Sequence, residues 1–137
     1  MMNQDNVFTA TTAKDNRHFV KDLDTAAKKY GFIIHNEEKM ELANTFGNHG
    51  VEVAAGFDLH MIQLCKPEKA AASLMANPER AILMPKFIMT FSKDGRTQIR
   101  FLKFSRANIK SVVDDDAFSD SLAQTYTVIE NIINEAK

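Results

Sequence analysis

The stretch LCKPEKAAASLMANPERAILMPKF, Leu64 to Phe87, contains the chain's single cysteine, all three of its prolines and an alanine-rich run. Pro67 suits the first turn of a helix, where its missing N–H would have no partner in any case. The alanines favour continuation of that helix to Ala76. Pro78 ends it, because a residue before proline avoids the α region. Upstream, FDLHMIQL (Phe57 to Leu64) alternates and then becomes apolar on both faces, which predicts an interior strand covered on both sides toward its end. Downstream, AILMPKFIMTF (Ala81 to Phe91) predicts a second such strand, with Pro85 marking a bulge or an edge. The segment therefore reads strand, helix, strand.

Working outward, SKDGR joins AILMPKFIMTF to TQIRFLKF as a Gly-containing hairpin turn. VFTATTA (Val7 to Ala13) is rich in β-branched residues and predicts a first strand. Asp15 or Asn16 caps a helix whose stripe is Phe19, Leu23, Ala26, Ala27 and Tyr30, with Gly31 as its stop. FIIH follows as a short strand. Glu37 to Asn48 predicts a helix with its acids in the first turn, ended by Gly50. Leu122, Tyr126, Ile129 and Ile133 form the apolar stripe of a last helix. The order β-α-β-α-β-α-β-β-α is that of an α+β fold, with one layer of largely antiparallel sheet and helices mainly on one face.

At 137 residues the chain is expected to form a single domain, 1–137, with a real core. One cysteine excludes an internal disulfide and a multi-cysteine zinc site. No apolar run reaches the roughly 18 to 20 residues that span a bilayer. MMNQDNVFTATTAKDN has neither a basic nor an apolar region of a secretory signal, so a cytoplasmic location is expected. A net charge of −1 gives no overall attraction to nucleic acid or membrane. The charges are uneven, however. Lys86 to Lys110 carries seven bases and one acid, and Asp114 to Glu135 carries six acids and no base. This reads as a solvated basic hairpin beside an acidic helix, and no helix has the Arg, Asn and Gln content of a DNA reader.

The chemistry-bearing candidates are few. Cys65 precedes a helix N-terminus and has Lys66 beside it; both favour a thiolate suited to sulfur transfer, soft-metal binding or redox sensing. The same position also suits a small residue packed at a tight strand-to-helix junction. His35 and His60, with Met61 and Met84, have the donor types of a haem or Cu(I) site but no ligand spacing. Neither GNHG nor KDGR is a phosphate loop, and hydrolase and zinc-protease motifs are absent. Asp114, Asp115 and Asp116 read as dipole partners of the last helix.

Cys65-Lys66-Pro67, Ala70 to Leu74, Asn77-Pro78 and Leu83-Met84-Pro85 together resemble the family called domain of unknown function 302. Tyr30-Gly31-Phe32 and Gly50-Val51-Glu52-Val53 also fit its pattern. The resemblance covers about Val7 to Phe104, with a C-terminal helix at about 114–136 beyond it. It implies a small α+β domain similar to the TATA-binding-protein arrangement, often a homodimer, and no known reaction. The chain departs from the pattern at Lys66, where the family often has Asn, and at Lys86, where many members have a second Cys.

The expected function is that of a small dimeric protein binding a ligand or partner, with Cys65, Lys66, His60 and Lys86 as candidate binding residues. The alternatives are a sulfur-transfer or redox accessory role for Cys65 as catalytic nucleophile and, beyond that, haem or soft-metal binding. No cofactor, metal, membrane or specific nucleic acid is expected.

Overall fold

A computed structural model of the chain describes residues 6–137. The elements are β1 (Val7–Thr12), α1 (Asn16–Lys29), β2 (Ile33–Ile34), α2 (Leu42–Asn48), β3 (Leu59–Cys65), α3 (Pro67–Ala76), a 3-10 helix (Pro78–Leu83), β4 (Phe87–Lys93), β5 (Arg96–Leu102), α4 (Arg106–Val112) and α5 (Asp116–Ala136). The fold is α+β. Its five strands form an open sheet in the order β1-β5-β4-β3-β2, with every neighbouring pair antiparallel.

Register explains the core. Phe8, Phe101, Ile88 and Ile62 form one row across the sheet, and Ala10, Ile99, Thr90 and His60 the next. Alternation turns these rows to the side on which α1 and α5 pack. From α1 come Phe19, Leu23 and Ala27, and from α5 Leu122, Ile129 and Ile133, all in the same buried cluster. Phe19, Ile62, Ile88 and Ile129 have no exposed surface, so each contributes about 1.5 to 3 kcal/mol of burial.

Local chemistry sets most boundaries. Asp15 Oδ1 accepts from the His18 amide at 2.8 Å and starts α1. Gly31, at φ +80°, lets the chain leave α1 where an L side chain would be strained. Asp94 and Gly95 both have positive φ between paired Lys93 and Arg96, the two-residue turn that matches strand twist.

Several expectations change. β3 and β4 are buried on one face only. β3 alternates half-buried Leu59, Met61, Gln63 and Cys65 with buried His60, Ile62 and Leu64, because α1 and α5 both pack on one side of the sheet. Ala81 to Leu83 belong to the 3-10 helix, and Pro85 precedes β4 without bulging it. Glu37 to Lys39 form turns; α2 starts at Leu42 and buries no residue, so the first-turn acids are outside it. α4 was not expected. Ser105 caps it, accepting from the Asn108 amide at 3.1 Å, and Ile109 anchors it.

The basic and acidic segments pair with each other. Lys103 meets Glu130 at 2.6 Å, Arg106 meets Asp120, and Lys110 meets Asp116. No helix among the described residues is long and apolar enough to cross a membrane.

Candidate functional site

A cavity of about 240 Å³ opens at the end of the sheet where β3 finishes and β4 begins. The backbone creates it. The Leu64 amide donates to the Lys86 carbonyl at 3.1 Å, extending the β3–β4 ladder by one step beyond Gln63 and Phe87. Lys86 is two residues before Ile88, so alternation places it on the helix-facing side of the sheet. There the packing ends, and a half-buried ammonium group takes the place of a core side chain.

Phe32, Leu64, Phe118 and Leu122 supply the apolar lining. α3 forms the outer wall through Ala70, Ser73 and Leu74, and Met84 and Pro85 contribute beside it. α3 itself buries no residue. It is secured mainly at its C-terminal end. Arg80 Nη1 donates to Ser73 Oγ at 3.1 Å, and Arg80 Nε and Asn77 Nδ2 both donate to Asp115 Oδ2. Pro67 and Pro78 bracket this wall.

Three lysines reach the cavity. Lys66 stands over the Phe32 ring at 5.7 Å from its centroid. Lys69 Nζ donates to Thr125 Oγ1 at 2.9 Å. Lys86 Nζ donates to the Met84 carbonyl at 2.6 Å. Among the described residues none of the three has a carboxylate partner, although Lys103, Arg106 and Lys110 all do. Burial lowers the Lys86 pKa; a Cys65 thiolate beside it acts the other way, and Lys69 adds to the lowering. Burial of its amine also lowers the Lys69 pKa, with repulsion from Lys66 in support, even though the Lys69 stem is exposed.

Of the sequence candidates, Cys65, Lys66 and Lys86 line this cavity together, and His35 and Met84 also line it. Cys65 is half-buried. The structure places His60 elsewhere. It lies on the helix-facing side of β3 near the start of α1, 5% exposed, with Nδ1 unpaired and 3.6 Å from Asp58 Oδ1. Around it Asn16 Nδ2 donates to Asp58 Oδ1 and the Thr90 carbonyl, and Thr90 Oγ1 donates to Asn16 Oδ1 at 2.6 Å. Sequence reasoning missed Lys69, Phe118, Leu122 and Thr125. Only Lys69 left a signal, three residues after Lys66 on the same helical face. Among the described residues no three His, Cys, Asp or Glu side chains gather as a metal site.

The family profile described as "Domain of unknown function DUF302" matches residues 8–136. The chain belongs to this family. A solved structure, "Crystal structure of uncharacterized conserved protein DUF302 from Bacillus stearothermophilus", is similar with a TM-score of 0.78 at 14% identity, covering 96% of this chain and 98% of that one. At that identity the likeness concerns the fold. The DUF302 match includes α5, and so the Phe118, Leu122 and Thr125 side of the cavity. No curated protein matches the chain.

Proposed function

We propose that this DUF302 protein binds a small organic anion with an apolar body in the cavity at the end of β3 and β4. The observation that carries this reading is the set of three lysines that, among the described residues, have no carboxylate partner around an apolar lining. A missing partner costs most at half-buried Lys86, and a ligand carboxylate would provide that charge. The volume suits roughly ten non-hydrogen atoms, scaling from a cavity of about 150 Å³ that takes benzene. Hexanoate is a suitable probe. Its addition should shift the amide resonances of Cys65, Lys69 and Leu122, and Lys66→Met with Lys69→Met should weaken binding at least tenfold. Equal affinity in the double variant would refute the reading.

The protein is proposed to act as a homodimer through the sheet face opposite α1 and α5. That face carries half-buried Met61, Phe87, Met89 and Phe91, with exposed Val7 and Leu102 along β1 and β5. Arg100 stacks on Phe91 at 5.4 Å and so lies along this face. A second copy supplies the same surface, as a two-fold interface requires. Light scattering after size-exclusion chromatography should give twice the chain mass at tens of micromolar, and Met89→Lys should give the monomer; a wild-type monomer would count against it.

A second reading has one observation in its favour. The Lys86 amine, with its lowered pKa, is close to Cys65 and could take its proton, making Cys65 a nucleophile. Alkylation by iodoacetamide should then slow in Lys86→Met.

A further inference from the structure

Resting on the anion-binding reading above, we propose that Lys86 is a covalent site: its amine condenses reversibly with the carbonyl group of a small oxo acid held in the cavity. Two features separate Lys86 from the other two lysines. It alone leaves the chain at the sheet end on the helix-facing side, as the continuation of the Ile88 and Thr90 row. It is half-buried, whereas Lys66 and Lys69 are exposed. Among the described residues its hydrogen bond goes to the neutral Met84 carbonyl, so a free amine keeps a donor for it, though a weaker one than an ammonium group.

Lys66 and Lys69 are the natural holders of the acid group. They sit at the start of α3, three residues apart, and face the cavity from one wall. Lys86 faces it from the sheet. An anion held by the first pair presents the rest of its chain to Leu64, Leu122 and the Lys86 amine. A carbonyl group next to the acid is then within the same small volume as the amine.

The chemistry needs no further reagent. The nitrogen lone pair of Lys86 forms a bond to the carbonyl carbon, and the carbonyl π pair goes to oxygen, which takes up one of the two amine protons. The resulting carbinolamine loses its remaining nitrogen proton and its hydroxyl group together as water. Amine plus ketone gives imine plus water, with no net oxidation or reduction. An amine can attack only as the free base, and burial in the apolar end of the sheet enlarges that fraction near neutrality. Lys69 adds positive charge that further opposes protonation, and Lys66 and Lys69 together favour an anionic ligand.

The test uses the full chain with 2-oxohexanoate and sodium cyanoborohydride, which reduces an imine to a stable secondary amine, followed by peptide mapping. One adduct is expected, at Lys86, at least tenfold above the exposed lysines Lys21 and Lys39. Excess hexanoate should suppress it, and Lys86→Met should abolish it. Labelling spread evenly over exposed lysines, or centred on Lys66 or Lys69, would overturn the proposal. If hexanoate shifts the cavity resonances but no Lys86 adduct forms, covalent capture fails and anion binding stands. If hexanoate does not bind and no adduct forms, both readings fail. Because the mapping is done on the unmodified chain, the outcome does not depend on the folding of a variant.

Discussion

Arg80 and Asp115 meet at 2.8 Å across a gap of thirty-five residues, and each side chain is largely buried, at 15% and 13% exposure. Asp115 also accepts from Asn77 Nδ2 and from the Phe118 amide, so one carboxylate holds the α3 arm and caps α5. The guanidinium of Arg80, then Asn77 and the Phe118 amide, keep its pKa well below the usual carboxylate range. A carboxylate depressed in the folded state contributes stability above the unfolded value of about 3.9, and that contribution is lost as the pH falls through the folded value. Asp115→Asn should therefore lower the melting temperature at pH 7 and narrow the gap to wild type in strong acid. Thermal melts from pH 7 to pH 2 check this; a constant difference would mean that the carboxylate charge is not what matters.

The same contact predicts where the chain opens. α3 has no buried residue, whereas Ile62, Ile88 and Ile99 in the central strands are fully buried. Its amides should exchange with deuterium at least a hundredfold faster than those of β3, β4 and β5. Arg80→Ala should speed exchange in α3 and leave the strands unchanged. Bound hexanoate should slow it, since a ligand in the proposed site would bridge α3 to the sheet.

How much of this was legible in the sequence depended on the range of the cause. The start of α3 at Pro67, its stop before Pro78 and the Asp94-Gly95 turn are local, and each was readable from one or two residues. The stripe of α5 was readable because it is long and strictly periodic. The start of β4 was not. Ala81 to Leu83 are as apolar as a strand, but Pro78 and the Asn77 cap turn them into a 3-10 helix, with Asn77 Oδ1 accepting from Glu79 N at 3.1 Å. α4 escaped notice because only Ile109 of its residues is buried, so it shows no stripe. The cavity was half-legible. Cys65, Lys66 and Lys86 drew attention at the junctions, but Phe118 and Thr125 reach it only through the packing of α5 on the sheet.

His60 and Asn16 should respond oppositely to deletion. Asn16 is 2% exposed and both donates to and accepts from its neighbours, so Asn16→Ala strands the buried Thr90 hydroxyl and should cost about 1 to 3 kcal/mol. Among the described residues His60 Nδ1 has no hydrogen-bond partner to lose. His60→Leu should change stability by less than about 1 kcal/mol, or raise it, because it removes an unmet polar atom. Urea unfolding of the two variants decides this. A large loss in His60→Leu would show that the imidazole is used in a way that the contacts with Asp58 do not reveal.

Lys86 gives the cavity a stability signature separate from its chemistry. A lysine whose folded pKa lies below its unfolded value binds fewer protons when folded, so stability rises with pH between the folded value and the ordinary 10.5. Lys86→Met should raise stability at pH 7 and remove that rise, while abolishing adduct formation. A variant less stable than wild type at pH 7 would mean that the bond to the Met84 carbonyl outweighs the cost of burying the charge.

Tyr126 produces the reverse slope at higher pH. It is 5% exposed, packed edge-on against Phe101 at 5.8 Å, and burial pushes its pKa up to about 12. Its unfolded value is about 10. Between these the folded chain keeps a proton that the unfolded chain releases, so stability falls as the pH rises from 10 toward 12. A shift of this size corresponds to at most about 2 to 3 kcal/mol. Tyr126→Phe keeps the ring packing and removes the ionisation, so its stability should decline less over that window than that of the wild type. The phenolate absorbance of the folded wild type should likewise include a late step that Tyr126→Phe lacks. A late step that persists in Tyr126→Phe would show that the delayed ionisation, and the alkaline decline, have another source.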